Sequence, residues 1–112
     1  MNKENILKLA EHIEKLPPDR YRQLVFSRCG LPQCIAGHAL DLSGDWDWRV
    51  ERWNEDKYLA QYWLGLSDVQ ADALFAGEPV GMGWTEPSVD DAASTLRHLA
   101  ETGEVDWGRA RR

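Results

Sequence analysis

SVDDAASTLRHLAETG, residues 88–103, reads as one complete helix from cap to stop. Ser88 followed three residues later by Asp91 is a capping box, in which each side chain accepts the other's backbone N–H. Val89, Ala92, Ala93, Leu96, Leu99 and Ala100 then recur at the three- and four-residue spacing that gathers them on one face, and Gly103 supplies the stop. A helix with so clean an apolar face has to bury it against something. The rest of the chain is therefore read for partners.

Moving upstream, GEPVGMGWTEP (77–87) carries three Gly and two Pro and reads as an ordered loop around Trp84. Before it, Ser67 and Gln70 repeat the capping box ahead of Val69, Ala71, Leu74 and Phe75, with Gly77 as the stop. Trp53, Leu59, Tyr62, Trp63 and Leu66 fit a further helix, broken near Gly65. CIAGHALDLSG continues a helix to Gly44, with Pro32 placed in its first turn, where a missing N–H does no harm. Residues 19–28 hold Leu24, Val25 and Phe26, which suit a short strand or a turn of helix equally, and are read as a connection. At the start of the chain, Ile6, Leu9, Ala10, Ile13 and Leu16 keep helical spacing. Glu4 with Lys8 and Glu11 with Lys15 form i,i+4 pairs on that helix, and Pro17-Pro18 ends it. Downstream of the opening helix, Val105 and Trp107 alternate in a tail expected to fold back onto the core.

The reading predicts an all-α fold, a compact single-domain bundle of about five short helices over residues 1–108, with a basic tail at 109–112. A chain of 112 residues suits one core. Its composition, 43% hydrophobic with six Trp, can order that core without staples. No apolar run is long enough to cross a bilayer, and MNKENILKLAEHIEK lacks the build of a secretion signal, so a cytoplasmic setting is expected. Two cysteines in a reducing compartment are more often thiols or ligands than a disulfide.

The chemistry-bearing segment is CGLPQCIAGH, which brings Cys29, Cys34 and His38 together. On a helical wheel His38 lies between Leu31 and Leu42, on the apolar arc with Ile35, so burial is expected. Ala36 and Leu40 lie opposite, which makes this a central helix, apolar over most of its circumference. Gly37 reads as a point of close approach. Three chemistries are open. Cys34 and His38, one turn apart, with Cys29 swinging in over the intervening turn, can present two sulfurs and a nitrogen to zinc, with Asp41, His12 or His98 needed as a fourth ligand. This C-x4-C-x3-H pattern is only a fragment of the usual two-pair zinc signature. A cysteine in the first turn of a helix can gain thiolate character, with His38 as base, or Cys29 and Cys34 can pair reversibly. The simplest account makes Cys34 a small core residue and His38 a buried imidazole bonded to a carbonyl or carboxylate; it needs neither cofactor nor catalytic residue.

The box Cys29-Gly30-x3-Cys34-Ile35-Ala36-Gly37-His38-Ala39 resembles the signature of a family of small uncharacterised bacterial and phage proteins, in which His or Trp stands at the place of His38. Leu64-Gly65-Leu66, Gln70-Ala71-x2-Leu74-Phe75 and Thr102-Gly103-x-Val105-Asp106-Trp107 are similar to later parts of the same group. Leu31 and Pro32 depart from it, where a Thr-led stretch is expected. The resemblance implies a bacterial or mobile-element setting and no mechanism.

Charge supplies the second clue. The net formal charge is −6, and Arg109, Arg111 and Arg112 contribute +3 of it, so the body to residue 108 stands at −9. From Tyr58 to Leu96 there are Asp68, Asp72, Glu78, Glu86, Asp90 and Asp91, and no Lys, Arg or His at all. Such a surface repels phosphate and attracts a basic partner. Ala60 to Phe75 resembles a helix-turn-helix, but its second helix carries two Asp and no base, so direct DNA binding is not expected. Lys15, Arg20, Arg22 and Arg28, with Tyr21 and Phe26, form a lesser basic cluster that is read as solvated surface. Trp46, Trp48 and Trp53 flank an Asp-rich turn and form an alternative docking surface, or else cover one end of the core. The function expected is a non-enzymatic acidic interaction protein. Its partner would be a basic protein or complex, such as a nucleic-acid-binding host or defence complex that it would inhibit. The alternative is a small metal- or thiol-dependent protein centred on Cys29, Cys34 and His38.

Overall fold

The computed structural model describes residues 1–21, 27–28, 31–32, 34–44, 53–76 and 88–107. Among them, five helices run in the order α1 (Lys3–Glu14), α2 (Ile35–Ser43), α3 (Trp53–Leu64), α4 (Asp68–Ala76) and α5 (Val89–Thr102). A single 3-10 turn (Pro18–Arg20) follows α1, and β1 (Ser27–Arg28) pairs with β2 (Leu31–Pro32) in a two-residue antiparallel rung. The fold is an all-α bundle. The loop 77–87, the Gly77 stop and the tail from residue 108 lie outside the described residues.

The helix ends form as their sequences dictate. Asn2 caps α1 by accepting the Asn5 N–H at 3.0 Å. Both capping boxes close: Ser67 with Gln70 at 2.9 and 3.1 Å, and Ser88 with Asp91 at 3.0 and 3.2 Å. Gly44 and Gly103 end α2 and α5 in the left-handed region.

The apolar face of α5 is buried mainly against α1, and α2 packs chiefly on α3. Ile6, Leu9, Ala10 and Ile13 of α1 meet one core with Ala92, Leu96, Leu99 and Ala100 of α5 and Ile35, Ala36, Ala39 and Leu40 of α2. Every residue of α2 from Ile35 to Leu40 is buried, as befits a central helix. Arg97 of α5 forms an ion pair with Glu14 of α1 at the rim.

Polar side chains stitch the helices together at their ends. The Asn2 N–H donates to Leu64 O at 2.9 Å and Asn5 Nδ2 donates to Trp63 O at 2.7 Å, which fastens the start of α1 to the end of α3. Gly65, at φ +68°, allows this approach, because a Cβ there would stand 2.6 Å from the Asn2 nitrogen. Gln70 Nε2 donates to the Gly103 carbonyl at 2.8 Å, so one residue both caps α4 and holds the end of α5. Trp107 folds back as expected: it is buried, with Nε1 donating to Ala73 O at 2.9 Å, and Val105 packs beside it against the core.

Four local expectations are corrected. Pro32 belongs to β2, opposite Ser27, and not to the first turn of α2. The helix starts at Ile35 because Cys34, with extended backbone, takes the N-cap place; a short edge strand tolerates the missing N–H of proline. Leu42, assigned to the apolar arc of α2, is exposed near the helix end, past the last buried position. In α3 the buried stripe is Asp56, Ala60 and Leu64, while Leu59 and Tyr62, expected inward, face out. The small Ala60 suits the close packing of α2 on α3, and the bulkier side chains are left on the outer surface. Val69 of α4 is likewise exposed, at 79%.

Candidate functional site

The chemistry-bearing residues of α1 and α2 meet where the last turn of α1 crosses α2. His38, 3% exposed, has Nε2 at 2.8 Å from the backbone carbonyl of Arg20 in the 3-10 turn. A carbonyl only accepts, so this nitrogen carries the proton, and in the neutral ring Nδ1 is left as a lone pair. His12 Nε2 lies 3.3 Å from that Nδ1 and donates to it. The ring centroids are 5.3 Å apart and the planes are tilted by 56°. Burial disfavours the imidazolium and brings the pKa of His38 down to about 4, against the pull of the Arg20 carbonyl, with the charge of His12 lowering it further. His38 is therefore neutral at pH 7.

Cys34 is turned to a different task. Its Sγ accepts the Gly37 N–H at 3.5 Å as the N-cap of α2, and the residue is buried. Burial pushes the thiol up to about 11, outweighing the N–H groups at the helix start that favour a thiolate. Of the readings left open for Cys34, the thiolate nucleophile is disfavoured, because desolvation exceeds the pull of the helix terminus. Cys34 and His38 share a helix, but they serve different contacts. Cys29 lies outside the described residues.

His12, half-buried, also lines an open groove of about 320 Å³ together with Lys8, Glu11, Lys15 and Leu42. The two lysines are each paired along α1, Lys8 with Glu4 at 3.5 Å and Lys15 with Glu11 at 2.9 Å. Among the described residues no set of three His, Cys, Asp or Glu converges as a metal cage. The meeting of His12 with His38 joins residues 26 apart in sequence, and no local pattern announces it. The one available signal was that His12 falls beside Ile13 at the edge of an amphipathic stripe. His98 sits on α5, where its backbone carbonyl accepts the Thr102 hydroxyl.

The surface residues fall into separate places. Asp68 and Asp72 are exposed on α4 and face α3: Asp68 accepts from Gln61 at 2.8 Å, and Asp72 lies 3.9 Å from Lys57. On α3 the next stripe around from Lys57 and Gln61 is Tyr58 and Tyr62, 59% and 87% exposed. Asp90 is exposed and Asp91 closes the capping box at the start of α5. Gln70 bonds the other end of that helix, so the two aspartate pairs are separated by much of its length, roughly 20 Å at 1.5 Å per residue. In the lesser basic cluster, Lys15 is paired and Tyr21 is buried, which withdraws one of its two aromatics from stacking on a base. Glu78, Glu86, Trp46, Trp48, the side chain of Trp53, and Arg22, Phe26 and the side chain of Arg28 lie outside the described residues.

Among the described residues, no helix is long and apolar enough to cross a membrane. No protein-family profile matches the chain, and neither a curated protein nor a solved structure does.

Proposed function

We propose that this protein is a non-enzymatic interaction protein that presents the α3–α4 hairpin to a basic surface on another macromolecule. The observation that carries the reading is the exposed pair Tyr58 and Tyr62 beside the acidic stripe of Asp68 and Asp72. Tyrosine brings a large contact area at low entropic cost and is enriched where binding energy concentrates, while carboxylates at the border steer a cationic partner and reject phosphate. From Tyr58 through Leu96 the sequence places no cation that would weaken this field, and Lys57, at its edge, is already near Asp72. Exposed Val69, next to Asp68, extends the apolar component.

In the bacterial or mobile-element setting implied by the sequence resemblance, the partner would be a nucleic-acid-binding protein or defence complex. An acidic domain would occupy its cationic groove in place of DNA or RNA. The burial and raised pKa of Cys34 weigh against the thiol-dependent alternative.

The test is affinity capture from bacterial lysate with mass spectrometry, comparing the native chain with two double variants, Tyr58→Ala/Tyr62→Ala and Asp68→Lys/Asp72→Lys. The expected result is a partner with a basic surface, held less tightly as salt rises and lost by both variants when their helical content is unchanged. Capture of the same partner by both variants with unchanged affinity and salt dependence would refute the reading.

A further inference from the structure

We propose that His12 and His38 form a two-histidine site for a divalent transition metal that favours imidazole, zinc or copper(II), with the remaining positions open to water. This inference is independent of the proposed interaction surface. Neither cysteine is needed for it.

The geometry supports it in three ways. Metal–nitrogen bonds of about 2.0–2.1 Å at a tetrahedral angle place two ligand nitrogens about 3.3–3.4 Å apart. The observed separation of His12 Nε2 and His38 Nδ1 is 3.3 Å, long for a hydrogen bond and right for that tetrahedral edge. Second, His38 donates its other N–H to the Arg20 carbonyl at 2.8 Å, which fixes the tautomer and ring orientation as the outer partners of metal-bound histidines do. Third, His12 is half-buried and borders the open groove of about 320 Å³, so the pair is approached from solvent on the His12 side, while His38 itself is buried.

Binding requires that Nε2 of His12 release its proton to solvent while Nδ1 takes one up. The ring stays neutral and both facing nitrogens then offer lone pairs. The local charge does not oppose a cation strongly. Asp41, one turn after His38, acts on it with a negative field, and Glu4 and Glu11 offset Lys8 and Lys15; Arg20 is the nearby opposing charge. With two protein ligands the affinity will be moderate, and copper(II) will bind more tightly than zinc.

The test titrates the purified full chain with zinc and with copper(II) near pH 7.5 in a non-coordinating buffer, following heat and, for copper, the nitrogen hyperfine pattern in electron paramagnetic resonance. One equivalent with two imidazole nitrogens is expected. His12→Gln, a change at a half-buried position, should retain helical content and weaken binding at least about 100-fold, whereas His98→Gln and Cys29→Ser should leave it unchanged. Absence of saturation up to about 1 mM metal, equal affinity in His12→Gln, or loss of binding in Cys29→Ser would each overturn the site.

Discussion

Acid should unfold this protein through His38, and by a calculable amount. Its imidazole titrates near 6.5 in an unfolded chain and about 4 in the folded one, chiefly because burial penalises the charged ring. Between those values the unfolded chain binds the proton that the native state refuses. Stability is then fully present above pH 6.5, falls as pH drops, and has lost this contribution entirely once pH passes below about 4. At 1.36 kcal/mol per pKa unit the loss is about 3 kcal/mol, a large fraction of the stability of a small domain. The matched variant is His38→Gln, whose amide can donate to the Arg20 carbonyl and accept from His12 but does not titrate. Urea unfolding of both proteins from pH 7.5 to 4 gives the difference in stability, in which the carboxylates common to both cancel to first order. The native protein should lose about 3 kcal/mol more than the variant across this range, most steeply near pH 5. If the two stability curves fall in parallel, His38 is not buried and neutral as described, and the reasoning fails.

Three further outcomes follow from particular contacts. Gly65→Ala should destabilise by roughly 2 kcal/mol or more, because the new methyl would be strained at φ +68° and would meet the Asn2 nitrogen at 2.6 Å; thermal unfolding measures it. Thr95→Val should be neutral or stabilising by up to about 1 kcal/mol, since Oγ1 is buried on α5 with no hydrogen-bond partner among the described residues; a destabilised variant would reveal a partner for that hydroxyl. Native Cys34 should resist alkylation at pH 8 and react on unfolding, as peptide mapping would show, and Cys34→Ala should lower stability while leaving capture of any partner intact.

The fold was legible wherever the signal was local. Caps at Ser67 and Ser88 and stops at Gly44 and Gly103 are decided by a few neighbouring residues competing for unpaired N–H and C=O groups, so the sequence carries them in full. The central α2 was equally readable, because a helix apolar over most of its circumference must sit in the middle. The start of α2 was not. Pro32 is tolerated both at the first turn of a helix and in an edge strand, and the choice falls to the pairing of β1 with β2, a contact between backbone segments that side-chain patterns do not encode.

The outward turn of α3 and the histidine pair failed to show for a related reason. Aromatic and aliphatic residues occupy several sides of α3, so periodicity admits more than one buried stripe. The decision is tertiary: α2 packs chiefly on α3, and the side of α3 that is buried holds the small Ala60 while both tyrosines stay outside. In the same way His12 was a residue at the edge of one amphipathic helix and His38 a buried residue on another. Only the crossing of α1 and α2 brings their nitrogens to 3.3 Å. Both proposals therefore depend on tertiary placement of residues whose types were visible from the start. The tyrosines matter because they are left outside; the histidines matter because one of them is held inside with a lone pair directed at the other.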